Sequence, residues 1–461
     1  MVLALSLSAL SSTALAHSGS LRGDTSGLAI PTWLFLATGG GVVGASFLLS
    51  SFATDRRLVS AIHGWRRRLS AAPPALTSLG SVVGGLAVAF VVVVGLTGPE
   101  DGTRNAAIYV VWVLWWAGAL ICAYLVGDVW SVVDPFRALA RRLPTLDVSY
   151  PERLGAWPSA VGLLALVFVE VVTPLADDPR LLAGVVLAYT VGTLAGAATF
   201  GPERWFSSVD PVARTFAQYG RVAPIGRGDD GGLSLRLPGM ALAEPPADAR
   251  LDAVGFVVAV VWATSFDGLV TTPAWADLVG RLTELGVPAL ATYVLGLAGG
   301  YLLFLGTYLV AARIARRTSD TYLTTAALAR RFAPALLVIA AGYHLAHYLP
   351  YLLSLWPALV ATVGGSLGGA LAAVTGGSAS GVGSVPRAVL PGWVGSVSLS
   401  FVLLGHLLAV WVAHAAAFET FPERVAALRS QIPITAAMVV YTVVGLWIVA
   451  EPSVTPPGVG P

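Results

Sequence analysis

Residues 332–356 read FAPALLVIAAGYHLAHYLPYLLSLW, and this stretch decides the class of the protein. It is apolar and long enough to cross a bilayer, which takes about 20 helical residues. His344 and His347 lie within it, three residues apart, so they share one face of a helix. Ionisable groups are costly in lipid, so the pair predicts a functional site inside the membrane. The structural alternative is that each ring only hydrogen-bonds a neighbouring helix.

The composition of the whole chain resembles that of this stretch. Hydrophobic residues make up 56% of the chain, charged residues 11%, and the mean hydropathy is +0.78. A soluble domain carries about 25% charged residues. The single cysteine, Cys122, excludes an intrachain disulfide and a cysteine-based metal cluster. The sequence therefore predicts an all-α, polytopic integral membrane helix bundle whose partner is the lipid bilayer, with no nucleic-acid partner.

Apolar segments of spanning length recur along the chain, and they predict ten transmembrane helices. These helices form a single transmembrane domain, residues 17–461, and are expected at 29–53, 76–96, 106–126, 156–174, 181–199, 253–272, 289–312, 332–356, 393–415 and 433–450.

The arginines predict the orientation of these helices. If residue 17 is outside and the helices alternate, 22 of the 27 arginines fall in inner loops. This bias agrees with the positive-inside rule, so we expect a cell-membrane protein with both mature termini outside. An inner loop is then expected at 200–252, with a loose Gly-, Pro- and Asp-rich part from Gly226 to Arg250. A long outer loop is expected at 357–392.

The amino terminus has features of a secretory signal. Residues 1–16 are apolar and end in Ala14-Leu15-Ala16, a small-residue pattern typical of a cleavage site. The alternative is an uncleaved tail. Cleavage after Ala16 leaves His17 as the first residue, and its amine and imidazole together form a bidentate metal site that copper favours.

Two predicted inner loops contain similar sequences. One is VWSVVDPFRAL (129–139) and the other is WFSSVDPVARTF (205–216). Aspartate before proline favours a helix start, so Asp134 and Asp210 are expected to cap short helices that lie along the membrane interface. The spacing indicates a parallel repeat of helices 2–3 and helices 4–5.

Several ionisable groups fall near one level of the predicted bundle. At 1.5 Å per residue, His344, His347, Asp267 and Glu170 lie roughly 20 Å above the inner face, and His406 lies near the midplane. Histidines with a carboxylate suit zinc, iron or copper, and a metal-bound water is a hydrolytic nucleophile. The three histidines are then candidate metal ligands, and Asp267 and Glu170 are candidate catalytic carboxylates. The alternatives are a polar network that orders the bundle and a proton relay that serves transport.

A set of short motifs, in order along most of the chain, resembles a prokaryotic multi-pass membrane protein family. The motifs are AHSG…IPTWLF (16–35), GDVWSVVDPFRAL (127–139), SFDGL (265–269), GYHLAHYL (342–349) and GHLLAVWVAH…SQIP…YTVVGLW (405–447). Members of this family are often labelled fenitrothion hydrolase, an organophosphate-cleaving activity. The resemblance implies hydrolysis of phosphotriesters. This chain has Ala415 where the family carries an aspartate, which argues against a role for His414.

Three functional hypotheses follow. The first is a metal-dependent membrane hydrolase. The second is a transporter or an ion or proton pathway that uses the same buried groups. The third is a metal-handling or scaffold protein. The chain has no G-x-S-x-G elbow, no Walker loop and no H-E-x-x-H motif.

Overall fold

A computed structural model describes residues 32–69, 74–146, 148–227, 232–244, 250–375, 385–452 and 454–458. The predicted signal peptide, residues 1–16, and His17 lie outside the described residues, so both remain predictions.

The described residues form an all-α bundle with one small sheet. In chain order the helices are α1 (Thr32–Ser51), α2 (Arg56–Gly64), α3 (Pro74–Thr97), α4 (Ala106–Tyr109), α5 (Leu120–Leu125), α6 (Trp130–Val133), α7 (Pro135–Ala140), α8 (Trp157–Val172), α9 (Pro179–Phe200), α10 (Pro202–Ser208), α11 (Pro211–Gly220), α12 (Leu251–Leu269), α13 (Pro273–Glu284), α14 (Ala289–Thr318), α15 (Thr325–Phe332), α16 (Leu336–Thr375), α17 (Trp393–Thr420) and α18 (Arg424–Ala450). The strands are β1 (Arg66–Arg68), β2 (Ile225–Arg227) and β3 (Leu233–Arg236).

The predicted class is confirmed, because the apolar segments form helices. Eight helices of the described chain are long and apolar enough to span a membrane, and two further predicted segments contain the shorter apolar helices Gly39–Ser51 and Trp157–Val172. The third segment is continuous from Ala106 to Leu125, but its centre, Val110–Ala119, is a π-helix that joins α4 to α5. π-Helical turns are rare in proteins, and those that occur are often found at functional sites.

The expected outer loop at 357–392 is wrong over its first half. Helix α16 continues to Thr375 and contains both Pro350 and Pro357. Proline is tolerated inside membrane helices when neighbouring helices compensate for the lost hydrogen bond. Leu355, Ala358 and Leu359 are buried in a cluster with residues of α4 and α9, so packing extends beyond the predicted end of the helix.

The expected loose loop at Gly226–Arg250 is also wrong in part. Strands β2 and β3 form an antiparallel hairpin, and β1 pairs with the other edge of β3, in the order β1-β3-β2. Arg66 lies opposite Arg236 in this register. The sheet places the loop after the first spanning helix beside the loop after the fifth, as the alternating topology requires.

The two Val-Asp-Pro segments start short helices as predicted. Asp134 accepts hydrogen bonds from the backbone N–H groups of Phe136 and Arg137, and Asp210 accepts one from Ala213. Each helix buries one face in the protein, with Phe136 and Ala140 of α7 and Phe216 and Tyr219 of α11 among the buried residues. The rings of Trp130 and Phe216, one from each copy, stack with centroids 5.0 Å apart.

Helix α12 lies at the centre of the bundle. Almost all of its residues are buried, from Asp252 to Gly268, so side chains on every face meet other helices. Polar groups on this helix must therefore find partners within the protein or in its internal cavities, because bulk water and lipid headgroups do not reach them.

Candidate functional site

A cavity beside α12 brings together three of the predicted site residues. Asp267, His344 and His347 all line it, and we call it the Asp267 cavity. Its empty volume is about 530 Å³, and the space open to the centres of water molecules is about 30 Å³. That space suffices for about two or three waters. The other lining residues are Trp116, Leu120, Leu163, Val167, Thr215, Tyr219, Val260, Ala263, Thr264, Gly268, Tyr343 and Tyr348.

His344 is fully buried and surrounded by aromatic rings. Its Nδ1 lies 3.1 Å from the hydroxyl of Tyr124, and its ring stacks on Tyr348 with centroids 4.4 Å apart. The rings of Trp116 and Tyr219 lie 6.2 and 6.3 Å away. Its Nε2 is buried and has no hydrogen-bond partner among the described residues. A buried polar atom of this kind is normally hydrogen-bonded to a water or a ligand.

Asp267 lies two residues before the end of α12 and is 8% exposed. Its Oδ2 accepts a hydrogen bond from the hydroxyl of Tyr348 across 3.3 Å. Because Tyr348 also stacks on His344, a single tyrosine contacts the imidazole and holds the carboxylate. His347 completes the group, with its ring 5.0 Å from that of Tyr348.

Glu170 lies near this cavity but is not one of its lining residues. It lies on α8 one turn beyond Val167, on the face that lines the cavity, and close enough to Tyr348 for an electrostatic interaction. Its Oε1 is buried and has no hydrogen-bond partner in the described part of the chain. Glu170, which was predicted to act with Asp267, does not line the Asp267 cavity, although both carboxylates are close to Tyr348.

His406 lines a second cavity, which we call the His406 cavity. The two cavities share Thr264 and Tyr343 in their walls, so they adjoin without being one site. Of the five ionisable groups predicted to share one level, three line the Asp267 cavity and one lines the His406 cavity. The fifth, Glu170, lines neither.

The structure brings only part of the predicted metal-ligand set to one cavity, and a bound metal remains a prediction. Within the described ranges, no group of three or more His, Cys, Asp or Glu side chains lies close enough to hold a metal ion. The Nδ1 of His344 faces Tyr124, and His406 belongs to the other cavity. A zinc, iron or copper site normally needs three or four protein ligands around one point.

His414 is a structural histidine in this fold. Its Nδ1 lies 3.1 Å from Oε1 of Gln431, and its Nε2 lies 3.0 Å from the carbonyl oxygen of Ala53. The ring thereby ties α17 to α18 and to the end of α1. The sequence argued against a functional role for His414, and its hydrogen bonds here are structural.

Four aromatic residues of the site were not predicted from the sequence. Tyr348 follows His344 by four residues, so helical spacing could have identified it. Trp116 belongs to the π-helix, and Tyr124 and Tyr219 come from α5 and α11. No local pattern in the sequence indicates that these three elements meet around one histidine.

The apolar helices are those of an integral membrane protein, and several of its buried polar groups line two adjoining cavities. Comparison with protein-family models, with curated proteins and with solved structures finds no match.

Proposed function

We propose that this membrane protein is a transporter or proton pathway in which Asp267, His344 and His347 bind and release protons. One observation carries the proposal: Nε2 of the fully buried His344 has no hydrogen-bond partner within the described ranges and belongs to a cavity that Asp267 also lines. Ionisable side chains inside membrane helices typically mark ion and proton routes.

The space for water beside His344 supports this proposal. A buried nitrogen without a partner costs about 1–3 kcal/mol, so a water bonded to Nε2 stabilises the folded protein. The cavity has space for about two or three waters, which is enough to link the imidazole to a carboxylate. The same space, about 30 Å³ for the centres of water molecules, holds a few waters but not an organic substrate.

The tyrosines extend the polar path on both sides of His344. Tyr124 contacts its Nδ1, and the ring of Tyr219 lies 5.5 Å from that of Tyr124. Tyr348 connects the imidazole to Asp267. Hydroxyl groups donate and accept hydrogen bonds at once, so they suit a chain along which protons move.

Proton flux into proteoliposomes tests the proposal. The full-length protein is reconstituted with a trapped pH-sensitive dye, and an external pH step is applied with valinomycin present to remove the membrane potential. We expect Asp267→Asn and His344→Asn each to lower the flux per protein at least tenfold. His414→Asn is the matched control, because this buried histidine lies outside both cavities, and its flux should equal that of the wild type. A wild-type flux no greater than that of empty liposomes contradicts the proposal, as does full flux in the Asp267→Asn/His344→Asn double variant.

A second candidate is the hydrolase that the sequence resemblance implies. Its support is that two of the resembling motifs, SFDGL (265–269) and GYHLAHYL (342–349), contribute Asp267, His344 and His347 to one cavity. In this proposal Asp267 acts as the general base for a water that attacks phosphorus. The cavity must open to admit a phosphotriester.

Release of nitrophenolate from a nitrophenyl phosphotriester tests the second candidate in detergent solution. The wild type should release it in proportion to protein concentration, and Asp267→Asn should lower the rate at least 100-fold, within the range of general-base contributions. Elemental analysis of the same sample tests the metal requirement. Equal rates in wild type and Asp267→Asn contradict this candidate.

A further inference from the structure

The His406 cavity lies between α12, α16, α17 and α18 and is smaller than its neighbour. The space open to water centres is about 20 Å³, which admits about one or two water-sized molecules. Its polar lining residues are Thr264, Ser265, Tyr343, His406, Tyr441 and Thr442.

The hydrogen bonding of His406 fixes which nitrogen carries the proton. Nδ1 lies 2.7 Å from the carbonyl oxygen of Val402, one turn earlier on the same helix. A carbonyl oxygen only accepts, so Nδ1 must donate. In a neutral ring Nε2 then has a free lone pair. His406 is 2% exposed, and its Nε2 has no hydrogen-bond partner in the described chain.

Four of the five hydroxyl groups that line this cavity donate their hydrogens to the protein backbone. Each of four hydroxyls donates to a backbone carbonyl oxygen and keeps lone pairs for accepting. The donor and acceptor residues are Thr264 to Val261 (2.9 Å), Ser265 to Val261 (3.0 Å), Tyr441 to Phe304 (2.6 Å) and Thr442 to Met438 (2.7 Å). The sixth polar residue is Tyr343, and its hydroxyl lies close to Gly268. An ideal Cβ built on Gly268 would lie 3.1 Å from that hydroxyl. Gly268 belongs to the lining of the other cavity.

The excess of hydrogen-bond acceptors over donors in the cavity determines which ligand it can bind. A cavity that offers acceptors and few donors leaves the lone pairs of a water molecule without partners. An ammonium ion has four donors and no lone pair, and it is about the size of a water molecule. Alkali and alkaline-earth cations are hard ions that favour oxygen ligands, whereas an imidazole nitrogen readily accepts an N–H hydrogen bond.

We propose that the His406 cavity is an ammonium-binding site in which Nε2 of His406 and the oxygens of Ser265 and Thr442 accept the hydrogen bonds of the ion. The nearest carboxylate along α12 is that of Asp267, which follows Ser265 by two residues and lines the adjoining cavity. This site stands on the His406 cavity alone and does not require the proton pathway.

Thermal unfolding of the purified full-length protein in detergent tests the site. Melting is followed at constant pH and ionic strength in ammonium, sodium, potassium or tetramethylammonium chloride. Ligands that bind only the folded state raise the melting temperature in a saturable manner. We expect such a rise with ammonium alone, because tetramethylammonium has no N–H donor. A wild type that responds equally to all four salts overturns the proposal.

Two buried threonines form a matched pair of variants. Thr442 lines the cavity, and Thr362 on α16 does not, yet each donates to the carbonyl four residues earlier, across 2.7 and 2.8 Å. Thr442→Val should raise the ammonium concentration that gives half of the maximal rise in melting temperature about three- to tenfold, because the ion loses one hydrogen bond. Thr362→Val should leave it unchanged. His406→Phe should abolish the effect, and if it does not fold, the threonine pair and the wild-type salt series decide the question. An unaltered ammonium response in Thr442→Val contradicts the proposed site.

Discussion

The hydroxyl of Tyr348 donates a hydrogen bond to Oδ2 of Asp267 across 3.3 Å, joining helix α16 to the central helix α12. Both residues are more than nine-tenths buried. A carboxylate in such a place depends strongly on its hydrogen bonds, because bulk water does not reach it. This bond thus contributes both to the stability of the bundle and to the position of the carboxylate in the cavity.

Removing the hydroxyl of Tyr348 should destabilise the protein. We expect Tyr348→Phe to lower the free energy of unfolding by about 1–3 kcal/mol, the cost of a buried acceptor that has lost its donor. A double-mutant cycle with Asp267→Asn, measured by denaturant unfolding in detergent, isolates the pair. A coupling free energy of about 0.5–3 kcal/mol is expected, and a value near zero contradicts a direct interaction.

The crossing of α16 and α17 should be sensitive to a single methyl group. A Cβ added at Gly342 would lie 2.7 Å from the carbonyl oxygen of Phe401 and 3.0 Å from Cα of Gly405. These are backbone atoms that cannot rotate away, so Gly342→Ala must separate the two helices. We expect a loss of about 1–3 kcal/mol in thermal or denaturant unfolding.

A control for this substitution lies on the same helix. A Cβ at Gly364 meets nothing within 4 Å. Gly364→Ala should leave stability unchanged or raise it by up to about 1 kcal/mol, since alanine favours helix. Equal destabilisation by both substitutions would show that helix flexibility, rather than close approach, is what matters.

Stability should fall as the pH rises through the range in which Asp134 ionises. Burial, with a smaller effect from nearby Asp210, raises the pKa of Asp134 from 3.8 to about 6. The folded protein therefore holds this proton more tightly than the unfolded chain does. The resulting stability is fully present below pH 3.8 and is lost as the pH rises to about 6. It amounts to roughly 1–3 kcal/mol.

Asp134→Asn should remove this pH dependence while keeping the cap on α7, because the asparagine oxygen can still accept from the helix N–H groups. The measurement is the melting temperature between pH 4 and pH 7. Asp55→Asn, a change at the exposed cap of α2, is the control and should follow the wild-type curve. If the Asp134→Asn curve keeps the wild-type slope, another group is responsible.

The orientation of the bundle in the membrane can be measured with reporters. The sheet joins Arg66–Arg68 to Leu233–Arg236, so the two loops must lie on the same side. The arginine bias predicts that this side is the inner one. A reporter fused after Pro461 should read as external, and one inserted within 227–250 should read as internal. Both reporters on one side of the membrane would disprove the alternating arrangement of spanning helices.

The sequence alone determined the elements of this protein. Apolar runs of about 20 residues predict helices in lipid, since every backbone polar group must be bonded within the segment. Asp134 and Asp210 were likewise predictable as helix caps, because capping depends only on residues nearby in the chain. The end of α16 at Thr375 was missed, since its extension is stabilised by distant residues of α4 and α9.

Only the tertiary structure decided which polar groups meet. Depth along a helix follows from counting residues, but rotation about the axis depends on how neighbouring helices pack. The close approach of Gly342 and Gly405 and the π-helix at Val110–Ala119 set those rotations here. They bring Asp267 to His344, place His406 in a cavity of its own and leave Glu170 one turn away from the site. Hydropathy does not specify such rotations, because a residue inside an all-apolar helix can face any neighbour at similar cost.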